Sequence, residues 1–299
     1  MTFAAILSGA AVAVTGCSGG AGASGAPAGP AAVPTQTFTV SKNEQLAAMV
    51  PEAVRKTGAF TVGVALGSPP DEFRDPAGKI AGWEVDISMA VADLLGLKAD
   101  LKPDSFDSLI PGLRAERYDA AIGQIAVTGA REKVVDQIST AKADEGMAAL
   151  KSAGLSIKTL DDLCGLTVAT TRGSREVEFA NAQNAKCEKN GKKPVTLNVF
   201  EDSTQAGLAM MSQRVSITWS GSTAISYFVQ TTNGKAEVVG HYLAANPLGF
   251  ALAKNSPMSK PVQAAVQRLI DDGTYSKIME KWGLSENKIA TADLNPQVG

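Results

Sequence analysis

Arg131 is the residue whose type and place in the chain most directly suggest chemistry. Thr128 suits the N-cap of a helix whose first turn would hold Gly129, Ala130 and Arg131. The helix dipole disfavours a cation in a first turn. The position makes better sense if the guanidinium turns outward to grip an anion, since a guanidinium holds a carboxylate through a bidentate fork. The alternative is a surface pairing with Glu132 or another nearby acid. Ser174 follows LTVATTRG and suits an N-cap opening the next helix. Asp71 and Glu72 stand side by side as possible counter-charges. Trp219 could offer a ring face to a cation, although a Trp at a strand end is more often core. The single histidine, His241, leaves no His-containing triad and no multi-histidine metal site, so no metal or other cofactor is expected.

These groups must be carried by a packed body. Of 299 residues, 44% are hydrophobic and 19% charged, which supports a real core in one large or two ordinary domains. A net charge of −2 argues against nucleic acid or an anionic membrane surface as the main partner. Aromatics at 5% exclude a broad stacking platform for bases. FTVGVAL at 60–66 reads as a buried strand. Ile87, Ala90, Val91 and Leu94 then recur at one-face helical spacing, as do Phe106, Leu109, Ile110 and Leu113. Asp119–Gly123, LTVAT, VTLNVF and VSITW read as further strands. Tyr275, Ile278, Met279 and Trp282 mark a last helix that Gly283 would close. This alternation predicts an α/β fold with mostly parallel sheet, with ligands beyond the carboxyl ends of the strands.

The start of the chain speaks to compartment. FAAILSGAAVAV, from Phe3 to Val14, has the length of a signal-peptide apolar region and is too short to span a bilayer. Val14-Thr15-Gly16-Cys17 resembles the lipobox of bacterial lipoproteins. The resemblance implies a signal peptide over 1–16 and a diacylglycerol on Cys17, with two acyl chains about the minimum for stable anchoring. No Lys or Arg precedes the apolar stretch, which departs from that pattern. Residues 18–34 are Gly, Ala, Ser and Pro apart from Val33, the composition of a flexible spacer, so 17–43 reads as lipidated cysteine and linker. Cys164 and Cys187 suit an oxidising compartment as a disulfide, the alternative being two buried free thiols.

Five collinear runs resemble the ABC-transporter solute-binding proteins for polar amino acids. They are PPDEFRDPAGKIAGWEVD (69–86), FDSLIPGLRAERYDAAIG (106–123), VTGAREKVVD (127–136), DLCGLTVATTRGS ending at Ser174, and DDGTYSKIMEKWG (271–283). The resemblance implies two α/β lobes that close on a ligand, of the periplasmic-binding-protein-like type. They would be joined by hinge crossings near Ala141–Met147 and Leu243–Phe250. Lobe 1 would comprise 44–142 and 248–299, and lobe 2 would comprise 143–247. It further implies that Arg131 binds the ligand's α-carboxylate, and that amides and a hydroxyl at Gly173 and Ser174 meet the same group.

The departures from that family bear on the ligand. The position where many members carry an acid for the ligand's ammonium falls on Gly221. Ala126 and Val127 stand where a hydroxyl or acid is common, and Ser68 where an aromatic is common. An ammonium left unpaired in a closed cleft would cost several kcal/mol. Asp71 or Glu72 would therefore supply the counter-charge, with Gln124 and Ser222 giving neutral hydrogen bonds, or the ligand lacks a free amine. The expected protein is a monomeric, non-catalytic lipoprotein outside the cytoplasm, capturing an amino acid or related carboxylate for a membrane permease. Alternatives are a dehydratase-like enzyme on the same fold and a sensory lipoprotein with a decayed site.

Overall fold

The computed structural model describes residues 1–2, 34, 36–38, 40–142, 144–243 and 246–296. Cys17, the apolar stretch from Phe3 and spacer residues 18–33 lie outside the described residues. No described helix is long and apolar enough to cross a membrane.

After two short helices, α1 (Glu44–Met49) and α2 (Glu52–Thr57), the chain enters β1 (Ala59–Ala65). Phe60, Val62 and Val64 are wholly buried there. A two-residue hairpin of β2 (Phe73–Arg74) and β3 (Ile80–Ala81) leads into α3 (Trp83–Leu94). α3 buries the predicted Ile87, Ala90, Val91 and Leu94 against the sheet, with roughly 1.5–3 kcal/mol favouring burial of each large aliphatic side chain. Then follow β4 (Lys98–Asp104), α4 (Phe106–Arg114), β5 (Ala120–Ile122), the single turn α5 (Gly129–Glu132) and β6 (Val135–Ala141).

The chain then builds a second unit. It consists of β7 (Asp144–Leu150), β8 (Thr167–Thr171), α6 (Arg175–Lys189), β9 (Thr196–Phe200), α7 (Ser203–Met211), β10 (Ile217–Gly221), α8 (Ser222–Thr231) and β11 (Ala236–Leu243). It returns through β12 (Leu248–Ala253) and ends in α9 (Ser259–Asp271) and α10 (Thr274–Lys281). One sheet has the order β4-β1-β5-β12-β6 and the other β11-β7-β10-β8-β9. The first sheet and the helices on it hold two buried apolar clusters, and the second sheet holds two more. Each lobe thus has a core of its own, as expected of units that move as bodies.

The expectation of mostly parallel sheet needs correction. β1 runs parallel to β4 and β5, and β8 parallel to β9 and β10, but β12 is antiparallel to β5 and β6, and β7 antiparallel to β10 and β11. The reason is the double crossing. β6 runs on into β7, β11 runs back into β12, and the outgoing and returning strands pair side by side in opposite senses.

Two contacts fasten the ends of these units. Asp86, in the first turn of α3, accepts from Lys281 Nζ and Trp282 Nε1, both at 2.7 Å, so it ties α3 to the C-terminal helix. In the second unit Cys164 and Cys187 form a disulfide with Cα atoms 5.7 Å apart, joining the loop before β8 to α6. His241 lies exposed on β11, opposite Gly146.

Candidate ligand-binding cleft

Four parallel strands point their carboxyl ends into the space between the two sheets. β1 leads to the loop holding Ser68, Asp71 and Glu72, and β5 to Gly123 and Gln124. β8 leads to Gly173 and Ser174, and β10 to Gly221 and Ser222. The cavity there measures about 50 Å³, room for a few waters. Ser68, Gln124, Ala126, Arg131, Ser174, Gly221 and Ser222 all line it, together with Glu72. Thr128, Gly173 and Asp71 do not line it and act from behind.

Arg131 is set by its neighbours. Thr128 Oγ1 accepts from the Arg131 backbone N–H at 3.2 Å, which is the cap expected of it. Nη1 donates to the Ala126 carbonyl at 3.0 Å, and Nη2 to the Gly173 carbonyl at 3.4 Å, across the cleft. The guanidinium stands 5.6 Å from the Phe106 ring centroid. Among the described residues no carboxylate forms a salt bridge with it, so the pairing with Glu132 does not occur. Burial lowers its pKa, while Glu178 and Glu176 act the other way. Ala126 therefore contributes a carbonyl that aims the arginine, not a side chain.

Gly173 adopts a φ of +75° in the turn before α6, a conformation that favours glycine. Ser174 occupies the N-cap position, but its hydroxyl meets Thr170 Oγ1 at 3.3 Å instead of an α6 amide. The first amides of α6, and those of α8 after Gly221, thus have no side-chain cap. Uncapped helix starts at a cavity favour anions.

The acidic side of the cleft is more elaborate than its sequence suggests. Asp71 is wholly buried and accepts from Trp83 Nε1, Gln124 Nε2 and Thr223 Oγ1, the last across the cleft at 2.9 Å. Burial pushes its pKa up to about 7, against the hydrogen bonds and with help from Glu84. With both oxygens already bonded, Asp71 is not the residue free to meet a ligand. Glu72 is: it lines the cavity and its Oε2 has no partner. Trp83 belongs to the core of the first lobe, and its indole N–H also anchors Asp71.

Some contributors escaped sequence reasoning. Arg175 and Glu145 form a buried ion pair in the cavity wall. Burial and Glu176 hold the Glu145 carboxyl well above its usual range, while Arg175 pulls it back. Glu145 lies on a crossing strand 30 residues from Arg175, and no local signal links the two. Ser68 meets Ser203 Oγ at 3.0 Å, and the Gly67 carbonyl accepts from Thr204 Oγ1 at 2.7 Å, so the loop after β1 is stitched to the start of α7. Trp219 is buried and stacks on Phe179 within the second lobe, away from the cavity wall.

Two α/β lobes, each on its own five-stranded sheet and facing one another across a polar cavity, define the architecture of two-lobe solute-binding proteins. The chain belongs to the bacterial extracellular solute-binding proteins, family 3, whose pattern matches residues 60–285. It is 32% identical to the arginine-binding protein ArgT of Corynebacterium glutamicum over 85% of this chain and 83% of that protein. It is 30% identical to the L-cystine-binding protein TcyJ of Escherichia coli over 77% and 84%. Among solved structures, an ancestral arginine-binding protein bound to arginine matches with a TM-score of 0.68 and 31% identity over 75% of this chain and 98% of that one. An ancestral amino acid-binding protein, AncCDT-1, a precursor of cyclohexadienyl dehydratase, matches with a TM-score of 0.68 and 26% identity over 77% and 98%.

Proposed function

We propose that this protein captures a small amino-acid-like solute outside the cytoplasm and delivers it to an ABC importer. Arg131 receives the solute's carboxylate and Ser174 with the α6 amides assists. The observation that carries this reading is a cleft-facing guanidinium with no carboxylate partner, aimed by the Ala126 and Gly173 carbonyls. An unpaired cation beside uncapped helix starts is built to receive an anion. Relatives named as binding arginine, cystine and glutamine, one of them an ABC transporter binding protein, support an amino acid as the solute.

Two lobes of 44–142 with 248–299, and of 143–247, would close on the solute, and the permease would read the closed shape. Cys17 would carry the lipid anchor, the linker to 43 would give reach above the membrane, and the protein would act as a monomer. Relatives named as binding proteins support a non-catalytic role, and His241 is not among the residues lining the cavity. Calorimetric titration with L-arginine, L-glutamine and simple carboxylates tests the reading. Binding abolished by Arg131→Ala supports it, and turnover of a carboxylated substrate would replace it with the enzyme alternative.

A further inference from the structure

Gln137 is a buried polar residue that stands behind the cleft and does not line it. β6 is buried from Val135 to Ala141, and Gln137 is 0% exposed. A carboxamide in such a place is costly unless its groups are bonded. Here both are bonded, and both bonds go to the segment that carries Arg131. Nε2 donates to the Ala126 carbonyl at 3.0 Å, and Oε1 accepts from the Thr128 N–H at 3.1 Å. The side chain thus pairs with this stretch as a peptide unit of a neighbouring strand would. Turning the amide over would set donor against donor and acceptor against acceptor, so its orientation is fixed. Its backbone is fixed as well: the Gln137 N–H donates to Asn295 Oδ1 at 2.9 Å, and its carbonyl accepts from the Asn295 N–H at 2.7 Å.

Both supports of Arg131 pass through that segment. The Ala126 carbonyl accepts from Nη1, and Thr128 Oγ1 accepts from the Arg131 backbone N–H. The other edge of the segment is held by the returning crossing, where the Val127 N–H donates to the Pro247 carbonyl at 2.8 Å. We propose that Gln137 is a positioning residue for carboxylate binding: it holds the Ala126 carbonyl and the Thr128 cap where they aim the guanidinium into the cleft. The proposal rests on the reading of Arg131 given above and goes beyond it, assigning the aim of the arginine to a side chain that never meets the solute. Without the carboxamide the segment loses one of its two edges, and Arg131 keeps its charge but not its aim. A carboxylate, which needs the bidentate fork, feels that loss, and a neutral carboxamide in its place feels it little.

The test is calorimetric titration of the full chain with L-arginine and L-glutamine, each compared with its own carboxamide, L-argininamide and L-glutaminamide. Wild-type protein should favour acid over amide at least about tenfold. Gln137→Met keeps the length of the side chain and removes both bonds. It should weaken binding of the acid about tenfold and leave the amide within about twofold, so that the preference narrows. Gln137→Asn keeps the carboxamide but draws it back by one methylene, and should act in the same direction. Ligand-free thermal unfolding should show both variants folded. A merely structural role would weaken acid and amide alike. A preserved preference, or the failure of both variants to fold, overturns the proposal. If Arg131→Ala erases the preference while the Gln137 variants keep it, the carboxylate reading stands and this proposal alone falls. If wild-type protein binds acid and amide equally, or binds no probe, the reading of Arg131 falls and takes the proposal with it.

Discussion

Gln124 and Gly221 meet across the cleft: Gln124 Oε1 stands 1.9 Å from where a β-carbon on residue 221 would sit. The amide is not free to swing away, because Nε2 donates to Asp71, which is held in turn by Trp83 and Thr223. Gly221 has a φ of −51°, open to any residue, so space and not backbone conformation demands glycine. Glycine at 221 and glutamine at 124 are one feature shared between two lobes.

Gly221→Asp therefore should not restore an ammonium site. The new side chain collides with Gln124, and the lobes cannot meet as they do here. Titration with L-arginine should show affinity reduced about tenfold or more, and adding Gln124→Ala should recover much of the loss. Additive losses in the two single variants would mean that the residues are not coupled.

Asp71 makes stability depend on pH in an unusual sense. Its native pKa of about 7 exceeds the ordinary 3.8, so the folded protein binds this proton more tightly than the unfolded chain. The linkage favours folding fully below about pH 4, and that contribution is lost as pH rises to about 7, by roughly 4 kcal/mol in all. Glu72 and Glu84 act in the same direction. Asp71→Asn should flatten the fall in unfolding free energy between pH 4 and 7 and raise the midpoint at pH 8. A variant with the wild-type slope would show that Asp71 titrates normally.

The bridge between Cys164 and Cys187 encloses a sequence separation of 23 within the second lobe. On the chain-entropy view, replacing both by alanine should lower stability by roughly 3 kcal/mol. Denaturant unfolding should register that loss, while arginine affinity should hold, since neither cysteine lines the cleft. Unchanged stability would mean that the bridge is redundant to the core around Cys187.

The parts of this fold that were legible in sequence are those with local periodicity. The apolar alternation around Phe60, Val62 and Val64 and the helical face of Ile87, Ala90, Val91 and Leu94 lie where expected. The crossing strands β6, β7, β11 and β12 were not read as strands, because what makes them strands is pairing with segments about 100 residues away. The cleft divides in the same way. Thr128 capping the turn of Arg131 is local chemistry over three residues. Asp71 engaged by Thr223, or Arg175 by Glu145, depends on which loops the two sheets bring together. Of the neighbours Asp71 and Glu72, only the structure shows which one still has a free oxygen.

The central claim is that Arg131 receives the solute's carboxylate. Titrating L-arginine and N-acetyl-L-glutamine into wild-type and Arg131→Ala protein tests it most directly, with thermal unfolding as the control for folding. The account predicts that affinity for each probe falls at least about tenfold, as a charge-assisted fork is lost, while the ligand-free unfolding midpoint stays close to wild type. Undiminished affinity in a folded Arg131→Ala variant would contradict it.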